Sequence, residues 1–106
     1  MKLLIGDIGN TITKLCIFET KNFKLRKIVY FNSNKILSKS YLKKIFKKYI
    51  KGKAFNRLAL FSSVVPRYHI KLGQFLSRFY KIKLIEIKQK NINKIIKINM
   101  KQQIFY

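Results

Sequence analysis

The sequence predicts an α/β domain built on a mixed five-stranded sheet with helices on its faces. Two observations indicate this class: short apolar runs bounded by polar turns, and two longer segments in which apolar residues repeat at helical spacing. Their order is strand, strand, strand, helix, strand, helix, strand, or βββαβαβ, which gives a meander followed by two crossover connections. The chain has 106 residues, 48% of them hydrophobic, so we expect one domain with a modest core.

The first three strands are predicted from apolar runs. Residues 2–7 and 11–18 flank a Gly-Asn dipeptide at 9–10, which favours a tight hairpin turn. Residues 23–31 follow a polar turn and form the third strand. Apolar side chains fall on both faces of residues 12–18, so we expect the second strand to be central in the sheet.

The first helix is predicted to begin at Ser38 or Ser40, either of which can act as the N-cap, and to end at Gly52. Its apolar residues form one stripe, and lysines occupy the opposite face. The stripe consists of Tyr41, Leu42, Ile45, Phe46, Tyr49 and Ile50. We expect this stripe to pack on the sheet.

The remaining elements follow from one proline and two apolar runs. Residues 57–65 predict a buried fourth strand, and Pro66 suits the first turn of a helix that extends to Tyr80. Residues 81–87 alternate as a last strand. His69 lies on the second helix with no Cys, Asp or Glu close in sequence, so we interpret it as a structural or surface histidine and not as a metal ligand.

The charge balance is strongly basic, with 25 Lys and Arg against three acids and a formal net charge of +22. One interpretation is compositional, because Lys, Ile and Asn are over-used together, as AT-rich codons impose. The alternative is a small basic module that binds nucleic acid through its Lys-rich helix faces. The aromatic residues at 41, 46, 49, 55, 75, 79 and 80 fall on apolar faces, which favours core packing over base stacking.

No specific nucleic acid is expected as a partner, because the sequence has no Gly-x-x-Gly loop, zinc-ligand spacing or RNP-like strand. The apolar run before Asp7 is too short for a signal peptide or a membrane span. Cys16 is the only cysteine, so we expect a core residue without a disulfide. These features predict a cytoplasmic protein with no membrane partner.

The stretch "IGDIGNTITK" at 5–14 is the strongest candidate for a functional site. A glycine-rich turn between two strands leaves backbone N–H groups pointing outward, which forms a small nest for anions. Gly6 and Gly9 are expected to let the backbone approach a phosphate without a Cβ in the way. Thr11 offers a hydroxyl at the rim.

Asp7 is the only aspartate of the chain. A carboxylate repels a phosphate, so its place here makes sense if Mg²⁺ lies between them. Lys14 adds a positive charge near a transferred phosphoryl group. The simpler alternative is that Asp-x-Gly-Asn forms a good hairpin turn by itself.

Three stretches resemble the type III pantothenate kinases, members of the sugar-kinase, Hsp70 and actin superfamily, whose half-domains are ribonuclease-H-like. "DIGNTITK" at 7–14 resembles the N-terminal phosphate motif D-x-G-N-T-x-x-K, and "SSVVP" at 62–66 resembles the Ser-Val-Val-Pro after the fourth strand. "IFY" at 104–106 resembles the segment before later family motifs. The resemblance predicts an N-terminal half-domain at 1–88 and a connecting segment at 89–106 toward a second domain.

The resemblance implies ATP-dependent phosphorylation of pantothenate, the first step of coenzyme A biosynthesis. It implies Mg²⁺ held by Asp7, a monovalent cation (K⁺ or NH₄⁺), pantothenate contacted by Tyr106, and a homodimer when the protein is full length. The residues that it assigns to the ATP phosphates are Asp7, Ile8, Gly9, Asn10, Thr11, Ile12, Thr13 and Lys14.

The sequence also departs from the family pattern. The family's general-base aspartate would follow Tyr106, so no catalytic residue is expected within this chain. Counting acids gives the same expectation, because Glu19 and Glu86 fall far from Asp7 in the predicted sheet, and a kinase of this type needs a second carboxylate near the acceptor hydroxyl. We therefore expect the chain to be inactive alone, as a truncated form or a fragment of a longer protein.

Overall fold

The computed structural model describes residues 1–50 and 55–88, together with residues 90, 91 and 94. The elements are β1 (Lys2–Ile8), β2 (Ile12–Glu19), β3 (Lys24–Asn32), a 3₁₀ helix η1 (Ser33–Leu37), α1 (Lys39–Ile50), β4 (Phe55–Ser63), α2 (Pro66–Tyr80) and β5 (Lys83–Glu86). The predicted α/β class and the order of strands and helices are confirmed. The predicted end of the first helix at Gly52 lies outside the described residues, as does nearly all of segment 89–106.

The five strands form one mixed sheet in the order β3-β2-β1-β4-β5. β1, β2 and β3 pair antiparallel, and β1, β4 and β5 pair parallel. β2 lies between two other strands and is buried on both faces along most of its length, so the prediction of a central second strand is confirmed. This arrangement is that of the expected ribonuclease-H-like half-domain.

The strand register sorts the residues of β1 onto two faces, because side chains of directly paired residues point to the same side of a sheet. Leu4 pairs with Ile17 and Ala59, whereas the next residue, Ile5, pairs with Cys16. The two faces pack in different hydrophobic clusters. Leu4, Ile17 and Ala59 belong to a cluster with residues of α1 and α2, and we call this side the helix-covered face. Ile5 and Cys16 belong to a separate cluster on the opposite face.

Both helices pack on the same face for a topological reason. The crossovers β3-α1-β4 and β4-α2-β5 join parallel strands and advance across the sheet in the same direction. Right-handed crossovers that advance in one direction place their helices on one side. The helix-covered face therefore carries the main core, in which Phe46 and Phe61 are fully buried.

The aromatic residues serve mainly this core. Six of the seven aromatics considered above belong to the main cluster or pack against it: Tyr41, Phe46, Tyr49, Phe55, Phe75 and Tyr80. Phe79 is the exception, with 39% of its surface exposed. This distribution supports core packing as the reason for the aromatic residues on the helices.

The helix starts follow the predicted chemistry. The backbone N–H of Tyr41 donates to Ser38 Oγ at 3.3 Å, so Ser38, and not Ser40, caps α1. Pro66 opens α2 as predicted. The 3₁₀ helix η1, which begins at Ser33, was not predicted. Among the helices of the described residues, none has the length and apolarity needed to cross a lipid bilayer.

Candidate phosphate-binding site

Asp7 lies one residue before the end of β1, on the face opposite the helices. Lys14 is its direct partner on β2, and Ser62 is its partner on β4. The Ser62 hydroxyl donates to Asp7 Oδ1 at 3.3 Å. The sheet thus places the only aspartate between a cation and a hydroxyl donor, with its carboxylate partly buried.

The turn that follows Asp7 exposes its tip. Asn10, Thr11 and Ile12 are exposed, and the Gly9 N–H donates to the carbonyl oxygen of Ile12 at 3.1 Å. Because the Gly9 amide is used inside the turn, an approaching phosphate would meet the exposed residues 10–12. Asn10 and Thr11 are thus accessible, as the predicted site requires.

A serine that the sequence analysis did not single out holds this turn from beneath. The Ser33 N–H donates to Thr11 O, and the Ser33 hydroxyl donates to Gly9 O, both at 2.7 Å. A third contact of 2.7 Å joins Ser33 Oγ to Thr13 Oγ1. Ser33 thereby contacts residues 9, 11 and 13 of the turn. The side chains of Ser33 and Thr13 are fully buried.

The two glycines of the turn have different roles, and the prediction for Gly6 needs correction. A Cβ on Gly6 would overlap Cε2 of the Phe61 ring, on the helix-covered face. Gly6 therefore makes room for a core phenylalanine, not for a phosphate. A Cβ on Gly9 would lie 2.8 Å from the Ile12 carbonyl oxygen, so Gly9 allows the chain to turn tightly.

Two of the residues assigned to the ATP phosphates have side chains that point away from the exposed tip. The side chains of Ile8 and Thr13 pair with each other across the hairpin on the helix-covered face, and both are fully buried. Any contact of theirs with a phosphate would have to come from the main chain. Tyr106, assigned to pantothenate, lies outside the described residues.

The connection from β4 to α2 lies at the same edge of the sheet, because β1 and β4 are parallel and end together. The Val64 N–H donates to the Ile8 carbonyl at 3.1 Å, and α2 begins at Pro66, two residues later. The N-terminal end of a helix carries partial positive charge and favours anions. The "SSVVP" segment thus supplies Ser62 to Asp7 and brings a helix N-terminus to the edge where the phosphate turn lies.

The charges of Asp7 and Lys14 act on Cys16, which lies on the face opposite the helices. Burial raises the pKa of the Cys16 thiol to about 11; the positive charge of Lys14 opposes this rise, and the negative charge of Asp7 adds to it. Cys16 is buried and free, as predicted for a core cysteine. Charged and apolar residues thus share one face, separated along the strands.

The other two acids lie elsewhere. Glu19 Oε2 accepts from Lys2 Nζ at 2.9 Å, at the end of the hairpin remote from the turn. Glu86 Oε1 lies 3.9 Å from Nε2 of His69 on α2, so an acid that is distant in sequence is a neighbour of His69 in the fold. Within the described residues no group of three His, Cys, Asp or Glu side chains could hold a metal. A divalent cation here would have Asp7 as its protein carboxylate, with oxygens of water and phosphate as further ligands, an arrangement common for Mg²⁺.

Comparison with known proteins gives both a family and structural neighbours. A model of the type III pantothenate kinase family matches residues 3–104. The type III pantothenate kinase of Pelagibacter ubique (strain HTCC1062) is 39% identical over 98 residues, which cover 92% of this chain and 39% of that protein. The chain therefore spans well under half the length of this relative.

Two solved structures of Aquifex aeolicus proteins of the Ppx/GppA family are similar at lower identity. They share 11% and 16% sequence identity with the chain, with TM-scores of 0.44 and 0.46. Each alignment covers 86% of this chain, and 36% or 37% of the other. The family match over residues 3–104 and the 39% identity to the Pelagibacter protein carry the assignment: the chain belongs to the type III pantothenate kinase family.

Proposed function

We propose that this chain forms the nucleotide-phosphate-binding part of an ATP-dependent pantothenate kinase. The observation that carries the proposal is the position of Asp7, between Lys14 and Ser62 and next to an exposed turn. A kinase site needs a carboxylate for the metal, a cation for the phosphoryl group and backbone or hydroxyl donors for phosphate oxygens. All three are present at one edge of the sheet.

In this proposal Asp7 holds Mg²⁺, and the exposed turn at 10–12 meets the phosphates. The ion, when bound, neutralises charge on the phosphate oxygens. The Ser62 hydroxyl orients the carboxylate of Asp7 by donating to one of its oxygens. Lys14 supplies positive charge on the same face. K⁺ or NH₄⁺, pantothenate and a homodimeric assembly belong to the proposal through the family.

The proposal assigns phosphate binding to this chain and assigns the general base to another segment of the whole protein. Glu19 is engaged by Lys2 at the remote end of the hairpin. Glu86 faces His69 on the helix-covered side of the sheet. Neither carboxylate shares a face and an edge with Asp7, so neither is placed to accept a proton from a substrate at the turn.

The test is calorimetric titration of the purified chain with ATP, with and without Mg²⁺. Wild type should bind more tightly with Mg²⁺, and Asp7→Asn, which keeps the shape but removes the charge, should lose that gain. We expect at least about a tenfold weakening, as for removal of a charged contact. Glu86→Gln is the matched control, since it removes an exposed carboxylate on the other face, and it should bind like wild type. Equal Mg²⁺-dependent binding by wild type and Asp7→Asn would remove Asp7 from the metal site.

A further inference from the structure

We propose that Ser33 is a positioning residue that holds the turn at 9–12 in its phosphate-binding conformation, through a buried relay of two hydroxyl groups. The statement that this turn binds phosphate rests on the proposed function, whereas the relay is a feature of the fold itself. Ser33 lies 24 residues from Gly9 in sequence, at the start of η1, so the contact joins the turn to the segment between β3 and α1.

The direction of the relay follows from the available protons. A hydroxyl has one hydrogen to donate, and the Ser33 hydroxyl gives it to the Gly9 carbonyl, which can only accept. Thr13 must therefore be the donor in its 2.7 Å contact with Ser33. The order is Thr13 O–H to Ser33 O–H to Gly9 C=O, and each hydroxyl donates to one acceptor.

Burial makes these bonds costly to lose. Ser33 and Thr13 are both 0% exposed, so water does not replace a missing partner without rearrangement. Removal of the Ser33 hydroxyl would leave the Thr13 donor without its acceptor and the Gly9 carbonyl without its donor. Gly9 makes two hydrogen bonds that set the path of the chain into the exposed tip, one through its C=O and one through its N–H. The bond to the C=O would be lost.

Substitution at Ser33 separates the side chain from the backbone. In Ser33→Ala the backbone N–H can still donate to Thr11 O, so only the relay is removed. Thr13→Val removes the first donor while keeping the shape of the side chain. Thr13→Ser keeps the hydroxyl and removes a methyl group, which makes it the matched control.

The first measurement is amide hydrogen exchange by NMR on the purified chain. The Gly9 amide, bonded to Ile12 O, reports on the turn, and an amide in the middle of β2, such as that of Ile17, reports on global opening. Exchange at Gly9 should accelerate about fivefold to tenfold in Ser33→Ala, less in Thr13→Val and little in Thr13→Ser. Ser38→Ala, which removes the cap of α1, controls for a general loss of stability: it should accelerate exchange at Ile17 and leave exchange at Gly9 unchanged.

The second measurement is Mg·ATP binding to the same variants. Ser33→Ala should weaken binding about tenfold, with the double variant Ser33→Ala/Thr13→Val no weaker than Ser33→Ala alone because both act through one relay. Exchange at Gly9 that is no faster in Ser33→Ala than in Ser38→Ala, or a loss of binding no larger than in Ser38→Ala, would overturn the proposal. If wild type itself does not bind Mg·ATP, the proposed function fails, and the Gly9 exchange rates still decide whether Ser33 holds the turn.

Discussion

The two faces of the sheet are built for different purposes, and β1 shows the difference within two residues. Gly6 lies on the helix-covered face, where its missing Cβ leaves room for the fully buried ring of Phe61. Asp7 lies on the opposite face, where Lys14 and Ser62 are its neighbours. One face is a continuous apolar core, and the other changes from apolar residues to charged ones toward the turn.

This difference shows how a small, strongly basic domain can hold a charged site. The helix-covered face buries residues from the sheet, from η1 and from both α-helices, including the fully buried Phe46 and Phe61. That burial is the main source of stability. The opposite face therefore need not be apolar along its whole length, and it can carry the partly buried Asp7 and Lys14 at the edge where a ligand would approach. The edge itself is held by neutral hydrogen bonds from Ser33, not by charge.

The largest effect is expected for Gly6→Ala, which tests the helix-covered face. The added Cβ would overlap the Phe61 ring, so either the ring or β1 must move. We expect a loss of about 3 kcal/mol in the free energy of unfolding, at the upper end for overpacked cores. Urea denaturation followed by circular dichroism measures it.

Gly73→Ala on α2 is the matched control for Gly6→Ala. A Cβ there would meet Leu84 at 3.6 Å, an ordinary contact, and alanine is the better helix former. This variant should therefore be more stable than wild type by about 1 kcal/mol. If Gly6→Ala were as stable as Gly73→Ala, the packing role assigned to Gly6 would be wrong. Phe61→Leu combined with Gly6→Ala should recover part of the loss, because leucine is smaller.

Local patterns in the sequence were enough to predict the five strands, the two α-helices and the residues at which those helices begin. The serine before the first amphipathic helix, the proline after the fourth apolar run and the cysteine in a strand apolar on both faces each act through neighbours in the chain. Ser38, Pro66 and Cys16 accordingly have the predicted roles. These predictions required no knowledge of which strands are adjacent.

The parts that could not be predicted depend on register between distant segments. Ser62 meets Asp7 across 55 residues, and Ser33 meets Gly9 across 24, so no local pattern reports either contact. Gly6 was interpreted as part of the phosphate turn because it lies next to Asp7. Its true neighbour, Phe61, follows from the parallel pairing of β1 with β4, which a single sequence does not specify. The available signal for Ser33 was a small polar residue at the end of an apolar strand, and the signal for Ser62 was its place in the segment "SSVVP".

A smaller effect concerns the opposite face and its boundary between apolar and charged residues. Burial raises the pKa of the Cys16 thiol from 9.0 to about 11. At pH 8 the thiolate fraction is then about a hundredfold lower than in the unfolded chain, so reaction with a disulfide reagent should be slower by at least about that factor. Lys14→Met should raise this pKa further and Asp7→Asn should lower it, because each removes a charge that acts on Cys16.

The same pKa shift has a consequence for stability at high pH. The folded state favours the neutral thiol, so the contribution of Cys16 is fully present below pH 9 and is lost as the pH rises from 9 toward about 11. Cys16→Ala lacks the titrating group and should not show this loss. Equal slopes of unfolding free energy against pH in wild type and Cys16→Ala over this range would contradict the assignment.

The smallest effect compares the two carboxylates of the β1–β2 hairpin, Asp7 near the turn and Glu19 at the far end. Hydrogen bonds from Lys2 and from the N-terminal ammonium group hold the pKa of Glu19 at about 2, below its ordinary 4.5. The folded state therefore favours the ionised carboxylate, and this contribution is present above about pH 4.5 and is lost as the pH falls toward 2. Because the pair is at the surface, we expect a small effect that weakens in salt.

Glu19→Gln should flatten the dependence of unfolding free energy on pH between pH 2 and pH 4.5 and leave Mg·ATP binding at pH 7 unchanged. A Glu19→Gln variant that loses nucleotide binding while it stays folded would show that the two ends of the hairpin are not independent, and the division between a structural and a functional carboxylate would have to be abandoned.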